Sequence, residues 1–86
     1  MDYYNDSQLL NFWENKFHFL NLNEENGVFT LILDRANKKN ALHPQMINEI
    51  AFCFSYISKN DKIRVVIIRS TGDTFSAGAD LKALKN

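Results

Sequence analysis

The pattern of apolar and polar positions is weakest at the start of the chain and sharpens from residue 17. Leu9, Leu10, Trp13 and Phe17 recur at three- and four-residue spacing behind Ser7, a residue type suited to capping a helix. The pattern predicts an N-terminal extension over 1–16 that holds a short surface helix, laid on the domain by Trp13. Residues 17–22 alternate as a strand, and residues 23–27 read as a turn in which Gly27 is free to take positive φ. Residues 28–33 read as the returning strand. Phe29, Leu31 and Leu33 share one face and Val28, Thr30 and Ile32 the other, which predicts cover on both sides.

Residues 34–43 are polar and irregular, and Pro44 suits the first turn of a helix. Met46/Ile47, Ile50, Phe54 and Ile57 mark one helical stripe, with Asn48, Glu49, Ser55 and Lys59 off it. Asn60-Asp61 ends that helix. The β-branched run Val65-Val66-Ile67-Ile68 reads as a parallel strand buried on both faces. The order strand, strand, helix, strand gives an α/β unit with a βαβ crossover. Residues 70–80 are rich in small side chains, and a further helix is expected to begin near Leu81.

Composition narrows the function classes. Eighty-six residues suffice for one small domain. Ten basic and ten acidic side chains cancel, which argues against a general nucleic-acid binder or a polybasic membrane-surface protein. No apolar run approaches a membrane span and no secretory signal is visible. The single Cys53 cannot form an internal disulfide, so a reducing, cytoplasmic setting is expected. Charge is uneven: residues 1–30 carry five acids against one base, residues 31–86 five acids against nine bases. An anionic ligand is therefore sought in the second part.

The small-residue loop is the candidate site. It leads from the C-terminal edge of a parallel strand toward a helix, a recurring place for ligands. Ser76, Ala77, Gly78 and Ala79 would let a ligand approach backbone N–H donors, which favour a phosphate, a carboxylate or a developing oxyanion. A purely structural turn fits the composition equally well. Gly72 and Gly78 make neither a phosphate-loop nor a dinucleotide fingerprint. His18, His43 and Cys53 do not pair at ligand spacing, so no metal is expected. Cys53 reads as a small core group and His43 as a pre-helix cap or surface group. Ser76 lacks the elbow of a nucleophilic serine.

Two stretches in order carry a resemblance. Leu33-Asp34-Arg35-Ala36-Asn37-Lys38-Lys39-Asn40-Ala41-Leu42, and then Gly72-Asp73-Thr74-Phe75-Ser76-Ala77-Gly78-Ala79-Asp80-Leu81-Lys82, resemble the start of the crotonase superfamily, the enoyl-CoA hydratase/isomerase family. The resemblance covers residues 17–86 and implies the N-terminal ββα unit, and the start of a second, of a crotonase-like spiral fold. It implies an acyl-CoA thioester as substrate, with coenzyme A part of that substrate and no separate cofactor, and a homo-oligomer, trimer or hexamer. By match of motif, Ala79 would supply one of two backbone N–H groups of an oxyanion hole. Ala77 to Lys82, with Ser76, would line the coenzyme A path (Ala77, Gly78, Ala79, Asp80, Leu81, Lys82). Asn37, Lys38 and Lys39, with Asn40 and Ala41, would border its phosphates.

Departures from the family pattern accompany these matches. Ala36 stands where proline is usual and Asp34 where asparagine is common. Glu14, Glu24, Glu25 and Glu49 match no catalytic position, so no acid/base residue is assigned. The expectation is the N-terminal part of a longer enzyme that hydrates enoyl-CoA or moves its double bond, this piece being inactive alone. The alternative is a non-catalytic or split-chain partner that binds coenzyme A or serves structure.

Overall fold

The computed structural model describes residues 4–84. Its elements are α1 (Asp6–Leu10), a 3-10 turn (Phe12–Glu14), β1 (Leu20–Glu25), β2 (Val28–Leu33), a second 3-10 turn (Ala36–Lys38), α2 (Pro44–Ser58), β3 (Val65–Ser70) and α3 (Leu81–Leu84). The three strands form one sheet in the order β1-β2-β3. β1 and β2 pair antiparallel, and β2 and β3 pair parallel across α2, as the crossover pattern predicts.

The hairpin differs from the sequence expectation. β1 starts three residues later and continues through Glu25, which pairs with Val28. The turn is only Asn26-Gly27, with φ of 52° and 80°. Two central residues at positive φ are what a tight hairpin turn needs to match strand twist, and Asn-Gly tolerates them best. Polar residues inside β1 are no obstacle, because Asn21, Asn23 and Glu25 lie on its exposed face. Residues 17–19 leave the ladder, and the carboxyl of Glu49 takes the place of a strand: Oε2 accepts from the His18 N–H at 2.9 Å and Oε1 from the Phe19 N–H at 2.9 Å. Gln45 Nε2 adds a third donor at 3.0 Å.

Glu49 therefore lies inside, contrary to its placement off the helical stripe, and is wholly buried. The inward stripe of α2 is Met46, Glu49, Phe52 and Cys53, while Ile47 and Phe54 face outward. A buried carboxyl is tolerable because each oxygen has donors. His43 caps α2, its Nδ1 accepting from the Gln45 N–H, and Pro44 fills the first turn.

α2 packs on the face carrying Phe29, Leu31 and Leu33. The N-terminal stretch seals that core through Phe12 instead of Trp13: Phe12 is 2% exposed and Trp13 48%. Phe12 stacks on Tyr56 with centroids 4.0 Å apart, and Tyr4 stacks on Phe52 at 3.8 Å. Burying a ring of this size stabilises by about 1.5–3 kcal/mol, so α1 belongs to the domain although it has few turns of its own. Its cap is Asn5, not Ser7: Oδ1 accepts from the Gln8 N–H and the Gln8 side chain returns a bond.

The expectation that β2 and β3 are covered on both faces does not hold among the described residues. Val65, Ile67 and Ile68 are 42–50% exposed. α2 sits over β1 and β2, and β3 is the edge strand, so neither the far face nor its outer edge meets a second layer.

Two outcomes follow from this core. Glu49→Ala removes three acceptor contacts and is expected to lower unfolding free energy by about 2–4 kcal/mol in urea titration. Burial first, and the nearby Glu49 charge second, push the Cys53 thiol from its ordinary value of 9.0 up to about 12. The unfolded thiol ionises first as pH rises, so its contribution to stability is intact below pH 9 and is lost progressively toward pH 12. Cys53 is expected to react with a thiol reagent only as fast as the chain opens, and Cys53→Ala should reduce the alkaline loss of stability.

Candidate functional site

The loops that follow β2 and β3 leave the same end of the sheet, because the two strands run parallel. They are tied together by hydrogen bonds along residues 76–80, where the N–H groups of Ala77, Gly78 and Asp80 are all engaged. The Ala77 N–H donates to the Lys39 carbonyl at 3.0 Å, the Leu42 N–H to the Gly78 carbonyl at 2.7 Å, and the Asp80 N–H to the Leu42 carbonyl at 3.1 Å. The Ser76 hydroxyl donates to the Asn40 carbonyl at 2.9 Å and accepts from the Gly78 N–H at 3.1 Å. Leu42 and Ala79 thus form an isolated parallel rung. In a parallel ladder the residue between two bonded peptides turns its own N–H to the other side. The Ala79 N–H follows that rule and has no hydrogen-bond partner among the described residues.

Small side chains make this arrangement possible. Gly78 holds φ at +91° with open space where a Cβ would stand, so conformation, not room, requires glycine there. Ala77 and Ala79 are exposed and present little more than backbone. The free donor lies one residue before Asp80, which caps α3 by accepting from the Ala83 N–H at 3.0 Å. It therefore belongs to the extended rung and not to the first helical turn.

Asn40 is the brace of the pair of loops. It is wholly buried at positive φ. Its Oδ1 accepts from the Arg35 N–H at 2.7 Å, and its Nδ2 donates to the carbonyls of Thr71 at 2.7 Å and Thr74 at 2.8 Å. Both side-chain amide hydrogens are used, so Asn40 holds the site together from within and presents no side chain to a ligand. Asn37 and Lys38 lie exposed on the second 3-10 turn, and Lys39 just after it. The structure separates the two adjacent lysines. Lys38 joins Arg35, His43, Asp80, Lys82 and Ala83 around an open depression of ≈ 600 Å³. Lys39 lines a smaller hollow with Ala36 and residues 71–74. Leu81 is exposed beside the depression, and the Ala41 carbonyl is turned inward to Arg35.

Arg35 is the residue that motif reading left unassigned. Its Nη1 pairs with Asp80 Oδ2 at 2.8 Å and donates to the Ala41 carbonyl at 2.8 Å. The Ala83 N–H foremost, and then the Arg35 guanidinium, hold the Asp80 carboxyl below its usual value. The alternation of charge in Asp34-Arg35 gave no signal for this, since the partner is forty-five residues away.

These bonds set an expectation for Asn40→Ala. It leaves the Thr71 carbonyl and the Arg35 N–H without partners and the Thr74 carbonyl with only the Ser70 hydroxyl at 3.4 Å, and should cost about 2–4 kcal/mol, read by urea unfolding. Amide resonances of residues 71–79 should shift more than those of α2.

Comparison with known proteins places this geometry. Residues 23–86 match the family model described as enoyl-CoA hydratase/isomerase. The chain is 35% identical over 57 residues to the 1,2-epoxyphenylacetyl-CoA isomerase of Escherichia coli (strain K12), covering 66% of this chain and 22% of that protein. It is 34% identical over 65 residues to human enoyl-CoA delta isomerase 2, covering 76% of this chain and 16% of that protein. A solved enoyl-CoA hydratase/isomerase from Pseudoalteromonas atlantica T6c superposes with a TM-score of 0.77 at 35% identity, covering 80% of this chain and 28% of that one. The chain thus spans less than a third of the relatives it matches, and its three-stranded α/β unit is the N-terminal part of the crotonase-like fold. A matched family model over most of the chain, with the same backbone course, makes it a member of the enoyl-CoA hydratase/isomerase family.

Proposed function

We propose that this chain supplies the thioester-binding lobe of a site that acts on acyl-CoA through an enolate-like intermediate. The observation that carries the reading is the Ala79 N–H, unbonded among the described residues between Ala77, Gly78 and Asp80, whose amides are engaged. A thioester carbonyl oxygen placed against it accepts that hydrogen bond. Water addition to a 2-enoyl thioester and migration of its double bond both pass through negative charge on that oxygen. A fixed donor therefore binds the transition state better than the ground state. The rung costs no reorganisation, because Leu42 already holds both flanking peptides.

The remaining parts of the ligand follow from charge and exposure. Lys38 and Lys82 face the open depression beside Asp80 and suit the phosphates of coenzyme A. Ala77 to Ala79 offer backbone and short side chains along the acyl and pantetheine path, which Asp80, Leu81 and Lys82 continue. Proton transfer is not assigned within this chain. Glu49 is buried against His18, Phe19 and Gln45, and Glu24 accepts from the Tyr56 hydroxyl at 2.8 Å. Glu25 pairs with Val28 at the opposite end of the sheet from the site.

Calorimetric titration of the 86-residue chain with crotonyl-CoA, and with S-butyl-CoA, which lacks the carbonyl, tests the reading. The thioester is expected to bind more tightly than the thioether, and hydration of crotonyl-CoA by this chain alone should be undetectable. Equal affinity for the two ligands contradicts the role of Ala79, and hydratase-like turnover contradicts the absence of an acid/base group.

A further inference from the structure

We propose that Arg35 is a positioning residue for the thioester-oxygen donor, fixing the Leu42–Ala79 rung without touching the acyl-CoA. The inference rests on the reading of Ala79 above and assigns what holds that amide in place. The Nη1 atom of Arg35 reaches both strands of the rung: the Ala41 carbonyl at 2.8 Å on one side and Asp80 Oδ2 at 2.8 Å on the other. Ala41 adjoins Leu42 and Asp80 adjoins Ala79, so one nitrogen spans the rung a single residue from the free donor.

The clamp is shielded and supported. The Arg35 and Asp80 side chains are 12% and 15% exposed, so solvent screens their pairing less than at an open surface. The guanidinium carbon lies 5.3 Å from the centre of the Phe19 ring, whose backbone N–H is held by Glu49. The second Asp80 oxygen accepts from the Ala83 N–H. Glu49, Phe19, Arg35 and Asp80 thus connect the core to the peptide that carries the donor. Without the guanidinium, Asp80 Oδ2 loses its partner and the two Leu42 bonds alone retain the rung.

Because one nitrogen makes both contacts, the planar fork of arginine is not needed. A lysine ammonium has three donors and can satisfy both acceptors, whereas glutamine offers donors without charge. The competing role is direct contact with a coenzyme A phosphate, since Arg35 also lines the depression with Lys38 and Lys82.

The test titrates the wild-type chain, Arg35→Gln, Arg35→Lys and Asp80→Asn with crotonyl-CoA and S-butyl-CoA. Arg35→Gln is expected to lose roughly tenfold in its preference for the thioester over the thioether, as a small displacement of a binding donor does, whatever the lost charge does to both ligands alike. Arg35→Lys should restore the thioester preference. Asp80→Asn keeps an oxygen for Ala83 but loses the charge, and should behave as Arg35→Gln; if Arg35→Gln does not fold, this variant decides by the same criterion. A wild-type preference retained in Arg35→Gln and Asp80→Asn overturns the inference, as does an equal loss for both ligands, which marks a phosphate contact. A wild-type chain with no preference sinks the reading of Ala79 itself, a distinct result.

Discussion

The rung between Leu42 and Ala79 governs what this site can do. Two backbone bonds from Leu42 fix the peptides on either side of Ala79 and, by the alternation of a parallel ladder, turn the N–H of Ala79 away from Leu42. An amide in this position is neither buried and unsatisfied nor engaged internally. Ala79 as a residue is exposed, and Ala77, Gly78 and Ala79 carry only short side chains beside it. The donor's direction thus comes from strand geometry and not from a helix terminus.

The rest of the fold works to keep two loops in register. Parallel pairing of β2 and β3 delivers both loops to one end of the sheet. Asn40 joins them from beneath with three side-chain bonds, and Arg35 joins them from the flank through Ala41 and Asp80. Beneath Arg35, Phe19 is held by Glu49, whose helix packs on Phe29, Leu31 and Leu33. The aromatic cluster of Tyr4, Phe12, Phe52 and Tyr56 closes the far end of that core, which makes the N-terminal segment part of the same domain. On the opposite face, Val65 and Ile67 of β3 remain exposed among the described residues, apolar surface of the kind that domain interiors normally cover.

Much of this was legible where local chemistry decides. The run 28–33, Pro44 at the head of α2, the parallel strand at 65–68, which the structure extends to Ser70, and the helix start at Leu81 all follow from periodicity and from Pro and Gly placement. The hairpin was misplaced because Asn23-Glu24-Glu25 reads as polar turn, whereas the Asn26-Gly27 pair alone makes the reversal. Glu49 and Asn40 lie inside for a shared reason that no local pattern shows: a polar side chain goes inside when distant backbone groups satisfy it, and those partners lie at His18, Phe19, Thr71 and Thr74. The Arg35–Asp80 pair is equally non-local. Motif matching singles out Ala79 as an expectation, but only the rung shows that its amide is left unbonded among the described residues.

Hydrogen exchange at four neighbouring amides tests the central claim most directly. In the free chain Ala79 is expected to exchange faster than Ala77, Gly78 and Asp80, and saturating crotonyl-CoA should slow Ala79 specifically. Protection of Ala79 equal to that of its neighbours before ligand is added, or exchange at Ala79 that the thioester leaves unchanged, would contradict the account.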